Sequence, residues 1–581
     1  MRYIASFVFV IGLFISLPQV TQASFTTNDF ITTWDTENTG TSASNQITIP
    51  GTGAGYSYSI YWESLSSTTA TGTIATSTSA SQTITFPEPG EYKVAIKGTY
   101  PRISFNNSGD KLKILTVEQW GNIAWTSMDS AFYGCANLTV PATDAPDLSG
   151  VTQMFLMFAY ATPFNESINH WDVSNITGMD GLFLGTNFNQ PLDQWNTSNV
   201  TSMLNVFNST SNFNQPLNNW DVSKVTSFRA MFSNALNFNQ PLDQWNTASG
   251  TDMTNMFWNS PFNQDISMWN VSNVQQMQQM FRGNTIFNQP LNSWDVSNVT
   301  LMRSMFSEAS SFNQPLNNWN VSNVTEFGLC SADSEIRGMF YRTNFNQDLS
   351  SWNISSTTCM KNFFLDTEVS TANLDSTLTS WAGQSLHSNV PFHLGLKTYN
   401  STGQTALDTL RDTYNWTITE QYQAEYQEGD DYTLSGTTIQ SPINLSGTTT
   451  AVEVIPDERC EFINWSDNNT QNPRTDTLTD NLTVSANVEC RNPSTGTSAK
   501  GRADKLEALG NQAKAEAVKE KYLNTTPANP ATTPTLETAI INIKNLTNNH
   551  AIINNPESRQ RLISILQQLV QILRGMAGES N

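Results

Sequence analysis

The sequence is poor in charged residues, in cysteine and in histidine. Only 13% of its 581 residues are charged, and it contains five cysteines and four histidines. The cysteines are too few for a disulfide-dense scaffold, none of them is spaced as CxxC, and the histidines are scattered, so we expect no zinc site. The net charge of −22 argues against binding to bare nucleic acid or to anionic lipid.

Long apolar runs are missing after residue 23. The first residues combine Arg2, an apolar core and the small-residue string TQA before Ser24, which is the pattern of a secretory signal peptide. The apolar core is too short to cross a membrane comfortably. We therefore expect residues 1–23 to be a signal peptide, and the protein to be secreted or cell-surface associated without membrane insertion.

Motifs typical of catalysis are also missing. The sequence has no Ser-His-Asp or Cys-His constellation in a supporting context, no glycine-rich phosphate loop and no EF-hand pattern. The acidic pair Asp430 and Asp431 is expected to lie in a solvated loop. We predict no catalytic residues, no metal and no cofactor, and hence a binding protein rather than an enzyme.

What the sequence does contain is a long tandem repeat. The string FNQPLDQWNTSNVTSM begins at Phe188, and close variants of it follow. The tryptophans of the repeats are 24 or 25 residues apart: Trp171, Trp195, Trp220, Trp245, Trp269, Trp294 and Trp319. A fixed period in this range predicts a solenoid in which each repeat covers the apolar face of the next. We interpret the tryptophans as core residues rather than sugar-stacking platforms, because every repeat has one at the same place.

The spacing within one repeat predicts its local structure. Met302, Met305 and Phe306 have the spacing of a short helical turn, and the alternation of Trp319 and Val321 favours a short strand. The Asn that follows each repeat Phe is expected to bond to turn backbone in its own or the neighbouring repeat. The predicted fold class is multidomain: a leucine-rich-repeat-like α/β solenoid with flanking small β-sandwich and β modules and a helical C-terminal tail.

The repeats resemble the BspA-like family of bacterial surface proteins, in the branch that carries FNQPLxxWDVSxVTxM repeats. The resemblance covers residues 110–420, including a C-terminal cap in which five large apolar residues cover the last repeat: Trp381, Phe392, Leu407, Leu410 and Trp416. It implies an exported leucine-rich-repeat-like solenoid with roles in adhesion to host proteins or to other cells. The family has no shared catalytic residues.

A small β-sandwich is predicted for residues 24–105. Tyr56, Tyr58, Ile60 and Trp62 alternate as one face of a strand should, and a final strand has an inward face of three residues: Tyr92, Val94 and Ile96. The pattern FxxPGxYxV around Pro89 and Gly90 resembles domains of the polycystic-kidney-disease (PKD) type. Such domains serve as spacers or binding modules in secreted proteins.

Residues 424–491 resemble a divergent internalin-type B-repeat, through the pattern FxxWSDxxxxNPR and the TVxA string that follows. This resemblance implies a small β-rich module, in which Asp467 and Arg474 are expected to form a structural pair. We predict a Cys460–Cys490 bridge within the module, because both cysteines are at apparent strand ends. A Cys330–Cys359 bridge between successive repeats is also predicted, which leaves Cys135 unpaired.

The last part of the chain is charged, rich in alanine and then rich in proline and threonine. A helix is predicted for residues 499–523 and a helical tail for residues 535–581. Four leucines form one face of the tail: Leu562, Leu566, Leu569 and Leu573. This stripe demands burial, either against the preceding helix, a partner or a second copy of the chain.

These features lead to one functional expectation and two rivals. We expect an adhesin-like protein that binds cell-surface or matrix proteins, or glycans, through its repeat solenoid; we locate no ligand-binding residues within it. A purely structural surface or spacer protein is the first rival. A glycan hydrolase with acidic residues in the solenoid groove is the second, but its carboxylate pair should occupy irregular positions, whereas the repeats vary mainly among Asn, Asp, Ser and Thr.

Overall fold

A computed structural model describes residues 24–490, except residues 68, 331–337, 428, 430–431, 445–447, 457–459 and 479–481. The signal peptide, the 499–523 helix and the 535–581 tail therefore lie outside the described residues. The described chain is β-rich, with fourteen strands in several small sheets and two helices. It forms two compact units, of which the first contains residues 24–425, Ile439–Thr450 and Thr475–Thr483; the second contains Tyr426–Thr438, Ala451–Arg474 and residues 484–490.

The first unit begins with two antiparallel sheets. Its strands are β1 (Phe30–Asp35), β2 (Gln46–Ile49), β3 (Ser57–Ser64), β4 (Thr71–Ser77), β5 (Gln82–Thr85), β6 (Glu91–Thr99) and β7 (Ile114–Gln119). Five of them form a sheet in the order β4-β3-β6-β1-β7, and β2 pairs with β5. The predicted inward faces of β3 and β6 are confirmed, since Tyr58, Trp62 and Val94 are buried. The last strand of the sheet is nevertheless β7 and not β6, because β7 returns to pair with β1.

The repeats that follow consist of β-turns joined by single parallel bridges. The described residues between β7 and residue 371 contain no helix and no extended strand. One residue of each repeat bridges to its equivalent in the next, and the bridged series is Gln153, Gly178, Ser202, Ser227, Asp252, Gln276, Leu301, Glu326 and Cys359. Successive repeats are therefore stacked in parallel register at the period of the sequence.

Backbone hydrogen bonds alternate within each repeat between the next repeat and the same repeat. From Met203 onward, every second N–H donates to the following repeat: Met203 to Ser227, Asn205 to Arg229, Phe207 to Met231 and Ser209 to Ser233. The N–H groups of Asn208 and Thr210 instead donate three residues back and close β-turns. The short helical turn and the short strand predicted within each repeat are therefore wrong. Consecutive turns reproduce the helical spacing of apolar residues, with Asn205 and Ser209 in the left-handed region.

The core of the repeats is a column of stacked rings. Phe306 stacks on Phe312 of its own repeat at 3.9 Å between ring centroids, and on Phe281 of the preceding repeat at 5.6 Å. The seven repeat tryptophans are only 2–4% exposed, which confirms them as core residues. The indole N–H of Trp245 donates to the carbonyl of Leu217 in the preceding repeat at 2.9 Å, so the one polar atom of the buried ring is satisfied.

A cap follows the last repeat. It consists of α1 (Thr371–Ala382), β8 (Pro391–Leu396), α2 (Ser401–Tyr414) and β9 (Thr417–Gln427), with β8 parallel to β9. Phe392 of β8 bridges to Met360 of the last repeat. The five predicted cap residues are all buried, as expected for side chains that close an apolar column: Trp381, Phe392, Leu407, Leu410 and Trp416.

The remaining strands are β10 (Tyr432–Ser435), β11 (Ile439–Asn444), β12 (Glu453–Pro456), β13 (Cys460–Trp465) and β14 (Leu482–Cys490). In the first unit β11 pairs with β9, and in the second β10 pairs with β12 and β13 with β14. The predicted pair of Asp467 and Arg474 is confirmed, with two parallel N–H to O bonds of 3.0 and 2.9 Å. The guanidinium also lies 5.0 Å from the ring of Trp465, so the pair is a structural element of this module.

The cysteines follow the predicted scheme as far as they are described. Cys330 and Cys359 form a disulfide whose Cα atoms are 6.0 Å apart. Cys135 is free and fully buried, and burial raises the pKa of its thiol well above the ordinary value. Cys460 takes part in a disulfide, and its backbone register partner in β14 is Cys490. The Cys460–Cys490 bridge itself stays a prediction, because the side chain of residue 490 lies outside the described part.

Candidate binding surface

Comparison of the repeats separates outward positions that are constant from outward positions that vary. The variable ones lie on the segments that carry the alternating backbone bonds. We define the ladder face as the outward side chains of eight such segments: 127–134, 153–160, 178–185, 202–209, 227–234, 252–259, 276–283 and 301–308. Their second and sixth residues are the buried Met and Phe of each repeat, apart from Phe228 at one second position.

Variation is strongest at the third and seventh residues of these segments. The third residues are Asp129, Phe155, Asp180, Leu204, Arg229, Thr254, Gln278 and Arg303, and the seventh are Tyr133, Ala159, Leu184, Asn208, Ser233, Trp258, Arg282 and Ser307. Five of these sixteen side chains are buried (Ala159, Ser233, Thr254, Arg282 and Ser307), and the other eleven range in charge, size and polarity along the same repeated backbone. A surface of this kind distinguishes one ligand from another, whereas constant positions serve the stacking that all repeats share.

The first part of the ladder face carries an apolar shelf made of Phe155, Leu156 and Tyr160. The next repeat has glycine wherever these side chains cross it. A Cβ added at Gly178 would lie 2.7 Å from the Phe155 ring, and one at Gly185 would lie 2.7 Å from the Tyr160 ring. Glycine therefore lets large side chains lie flat across the following repeat, where any other residue would push them away.

The same relation holds at the centre of the shelf. A Cβ at Gly181 would lie 2.5 Å from a methyl group of Leu156. Tyr160 remains 46% exposed, and Phe155 and Leu156 are half-buried. The shelf is thus a shaped apolar surface that is supported from below and open to solvent above.

Neighbouring repeats partly cover the exposed tyrosine ring of the shelf. Tyr160 stacks on Tyr133 of the preceding repeat, with 6.0 Å between centroids and 29° between planes, and it also covers Gly185 of the following repeat. The ring of Tyr160 therefore packs against Tyr133 on one side and against Gly185 along its Cδ1–Cε1 edge, and the rest of its surface is exposed. Such a surface suits the apolar side chains of a protein partner better than a stacked pyranose ring.

All three arginines of the ladder face lie in its later part. Arg282 lies 5.0 Å from the ring of Trp258 in the preceding repeat, and Arg303 pairs with Glu326 of the following repeat at 2.5 Å. In the earlier part, Asp180 accepts hydrogen bonds from the Ser202 hydroxyl and from a backbone N–H, but burial outweighs these bonds and raises its pKa. The apolar shelf therefore lies in the earlier part of the face, and the later part, which holds the arginines, is its more ionic end.

The sequence of the repeats matches a family described as "Mycoplasma protein of unknown function, DUF285". The model of this family matches four overlapping stretches, at residues 104–193, 126–242, 237–335 and 330–400. Together they run from residue 104 to residue 400, which is just over half of the chain. The chain belongs to this family. No curated protein and no solved structure matches it.

Other features of this DUF285 chain point to no chemistry of their own. In the described residues, no group of three or more His, Cys, Asp or Glu is placed to hold a metal ion, and no helix is long and apolar enough to cross a membrane. A cavity of about 550 Å³ beside α1 is lined mainly by Ser and Thr hydroxyls. Another, of about 390 Å³, contains Lys397, whose pKa burial lowers to about 8 against the opposing charges of Glu368 and Asp366.

Sequence reasoning identified none of the ladder-face residues individually. The signal that could have found the shelf is the string GMDGLFLG at residues 178–185, which has three glycines, two of them, Gly178 and Gly181, where every other segment of the ladder face has a larger residue. Glycine in the interior of a repeated unit indicates a close approach by another part of the chain. The approaching residues are those one repeat earlier, at the equivalent positions.

Proposed function

We propose that this protein is a secreted or cell-surface, adhesin-like protein that binds its ligands non-covalently through a leucine-rich-repeat-like solenoid of residues 110–420. In this proposal the chain is of the BspA-like type, residues 24–105 form a PKD-like domain, and residues 424–491 form an internalin-type B-repeat module. The parallel bridges at the repeat period and the stacked ring column support the solenoid. The FNQPLxxWDVSxVTxM strings support the BspA-like type.

The ladder face is the observation that carries the proposal. The repeats share their core and their turns, yet differ on this face at nearly every outward position. The shelf adds a contact site of the kind that dominates protein interfaces, with an exposed tyrosine over a packed apolar base. We propose that the shelf contacts an apolar patch on a cell-surface or matrix protein, and that the ionic end of the face selects among such partners.

The test is a binding screen against matrix and cell-surface proteins with matched variants of the full chain. Phe155→Ala/Tyr160→Ala removes the top of the shelf, whereas Met268→Ser removes an apolar side chain that is 83% exposed and lies outside the ladder face. We expect the shelf variant to bind at least about 30-fold more weakly, because buried aromatic anchors contribute about 2 kcal/mol or more each. The control should bind as the wild type does.

Two outcomes contradict the proposal. If the wild type binds none of these ligands, the spacer protein becomes the better description. If it binds and the shelf variant binds equally well, the ladder face is not the binding surface. Thermal unfolding of all variants separates lost binding from lost folding.

A further inference from the structure

A second repeated surface lies outside the ladder face. In each FNQPL string the Phe and the Leu are buried, and the residues between them face outward. We define the Asn-Gln-Pro strip as residues 189–191, 214–216, 239–241, 263–265, 288–290 and 313–315. Five of the six copies are Asn-Gln-Pro, and the fourth is Asn-Gln-Asp. The strip is therefore nearly uncharged and almost identical from one repeat to the next.

Hydrogen bonds between repeats fix the orientation of the strip amides. The Oδ1 of Asn214 accepts the N–H of Asn239 at 3.0 Å and the Nε2 of Gln240 at 3.1 Å. Asn239 and Asn263 accept the equivalent pairs from the next repeats. Each asparagine carboxamide is thus held through its oxygen by the repeat that follows, and each glutamine carboxamide is held through its nitrogen by the repeat that precedes.

This arrangement leaves one donor and one acceptor in every repeat. Among the described residues, the Nδ2 of the strip asparagines and the Oε1 of the strip glutamines have no protein partner, and both side chains are at least partly exposed. The proline beside them is exposed in all five copies that have one. Each repeat therefore presents an oriented N–H donor and an oriented carbonyl acceptor, with an apolar proline ring in every copy but the fourth. The phenylalanine rings that directly precede the strip are 5.9–6.4 Å apart from one repeat to the next, so these groups recur at a short regular interval.

We propose that the Asn-Gln-Pro strip binds an extended neutral polysaccharide, with successive sugars on successive repeats. A sugar hydroxyl both donates and accepts, so it can bond to a glutamine Oε1 and to an asparagine Nδ2 together. The C–H face of a pyranose matches the exposed proline ring. The rigid spacing of the donors and acceptors favours a ligand whose own groups recur at a short regular interval.

Other partner classes fit the strip less well. A folded protein partner needs an anchor residue in a desolvated pocket, but the large side chains of the FNQPL strings are fully buried. A charged polymer finds no row of counter-charges on the strip, because five copies are neutral and the fourth copy adds only the carboxylate of Asp265. A second copy of the chain could bond to the free amides, and the test separates that case.

The experiment uses the full chain with Asn214→Asp, Asn239→Asp and Asn263→Asp together. Each aspartate keeps the oxygen that accepts the next backbone N–H and replaces only the outward Nδ2 donor. The control is Asn246→Asp, Asn270→Asp and Asn320→Asp, which adds the same charge where the side chain accepts a bond from backbone two residues on. Asp221 and Asp295 already occupy this position in other repeats.

Binding is measured to insoluble cellulose and chitin and to soluble β-1,4-linked oligosaccharides of increasing length. We expect the wild type and the control to bind with an affinity that rises with oligosaccharide length, and the strip variant to bind at least about tenfold more weakly. The shelf variant Phe155→Ala/Tyr160→Ala should bind these polysaccharides normally, so a failure of the ladder-face proposal leaves this one intact.

Three results overturn the inference. If the wild type is retained by neither insoluble polysaccharide and binds none of the soluble oligosaccharides, the strip has no such ligand. Equal binding by the strip variant and its control places the ligand elsewhere. A loss of binding that follows a change of oligomeric state, measured by sedimentation, assigns the strip to self-association.

Discussion

The ladder face and the Asn-Gln-Pro strip are built on the same repeated backbone, yet one varies where the other is constant. On the ladder face, the third residue of the segments ranges from Asp180 to Phe155 to Arg229. On the strip, the same Asn recurs because its Oδ1 binds the backbone of the next repeat. Constancy on the strip therefore has a structural cause as well as a proposed ligand, whereas the stacking of the repeats requires no particular residue at the variable positions of the ladder face.

The contrast separates two kinds of recognition. A face that differs in every repeat can match only one patch on a partner, and its affinity depends on a few residues such as those of the shelf. A face that repeats without change can match only a ligand that repeats too, and its affinity depends on length. The core beneath both faces is common, so a core substitution should affect both, and a surface substitution only one.

Loss of a core tryptophan should have the largest effect on both faces. Trp245 is 3% exposed, stacks on Trp269 at 6.1 Å and donates its indole N–H to Leu217. Trp245→Ala is expected to reduce the free energy of unfolding by about 3–5 kcal/mol, as for other buried large aromatics. Denaturant unfolding measures this, and a loss of less than about 1 kcal/mol would contradict the core assignment.

Removal of the Cys330–Cys359 disulfide should have the next largest effect. The bridge closes a loop with a sequence separation of 29 residues, so Cys330→Ala/Cys359→Ala is expected to lower the stability by about 2–4 kcal/mol. Both faces lie mostly before this point, and ligand binding at low temperature should survive. Peptide mapping without reduction provides the check on the pairing: it should find Cys330–Cys359 and Cys460–Cys490, with Cys135 as the free thiol.

A glycine substitution tests the shelf alone. Gly185 and Gly283 occupy the same position of their repeats with the same φ of +68°, but a Cβ at Gly185 meets the Tyr160 ring at 2.7 Å, whereas at Gly283 the nearest atom is 3.7 Å away. Gly185→Ala should therefore destabilise by about 1–2 kcal/mol more than Gly283→Ala, since both share the backbone strain and only one displaces a packed ring.

The readout of this pair is thermal unfolding together with ladder-face binding. Gly185→Ala should also weaken binding of the protein ligand to the ladder face, because the Tyr160 ring must move. Gly283→Ala should leave this binding unchanged. Equal destabilisation and unchanged binding in both variants would mean that Tyr160 relocates freely and that the shelf is not a shaped surface.

The sequence predicted the stacking of the repeats better than their local structure. The period of the tryptophans predicts contact between neighbouring repeats, and the Asn after each repeat Phe was expected to bond to its own or the neighbouring repeat. The structure has the contact with the neighbouring repeat in both cases. The spacing of Met302, Met305 and Phe306 has two explanations, a helical turn or successive β-turns, and backbone bonding between repeats selects the second. Local spacing alone does not contain that information.

The shelf and the last strand of the first sheet were missed for a related reason. Phe155 can lie across the next repeat only because the residue 23 positions later is glycine. Strand β7 joins the sheet through β1, which is about 80 residues earlier. Both depend on contacts between distant parts of the chain. The pair of Asp467 and Arg474 was found because its partners are close in sequence and opposite in charge.

The smallest predicted effect concerns pH and compares a ladder-face carboxylate with a turn carboxylate. Burial raises the pKa of Asp180, while hydrogen bonds from Ser297 lower the pKa of Asp295. The charged form of Asp180 therefore destabilises the folded state relative to the unfolded state, and this cost disappears as the pH falls and the carboxylate is protonated. Asp295 instead stabilises the folded state above the pKa it has in the unfolded state, and this stabilisation is lost as the pH falls through its lowered folded-state pKa. Asp180→Asn keeps the acceptor for Ser202 and removes a desolvated charge, so it should stabilise the protein near pH 7. Asp295→Asn should instead be neutral or slightly destabilising at pH 7. Denaturant unfolding at pH 7 and at pH 3 measures the free energy of unfolding of both variants, and the difference of each from the wild type should shrink at the lower pH. An Asp180→Asn variant that is less stable than the wild type at pH 7 would show that the hydrogen bonds of this carboxylate outweigh the cost of its burial.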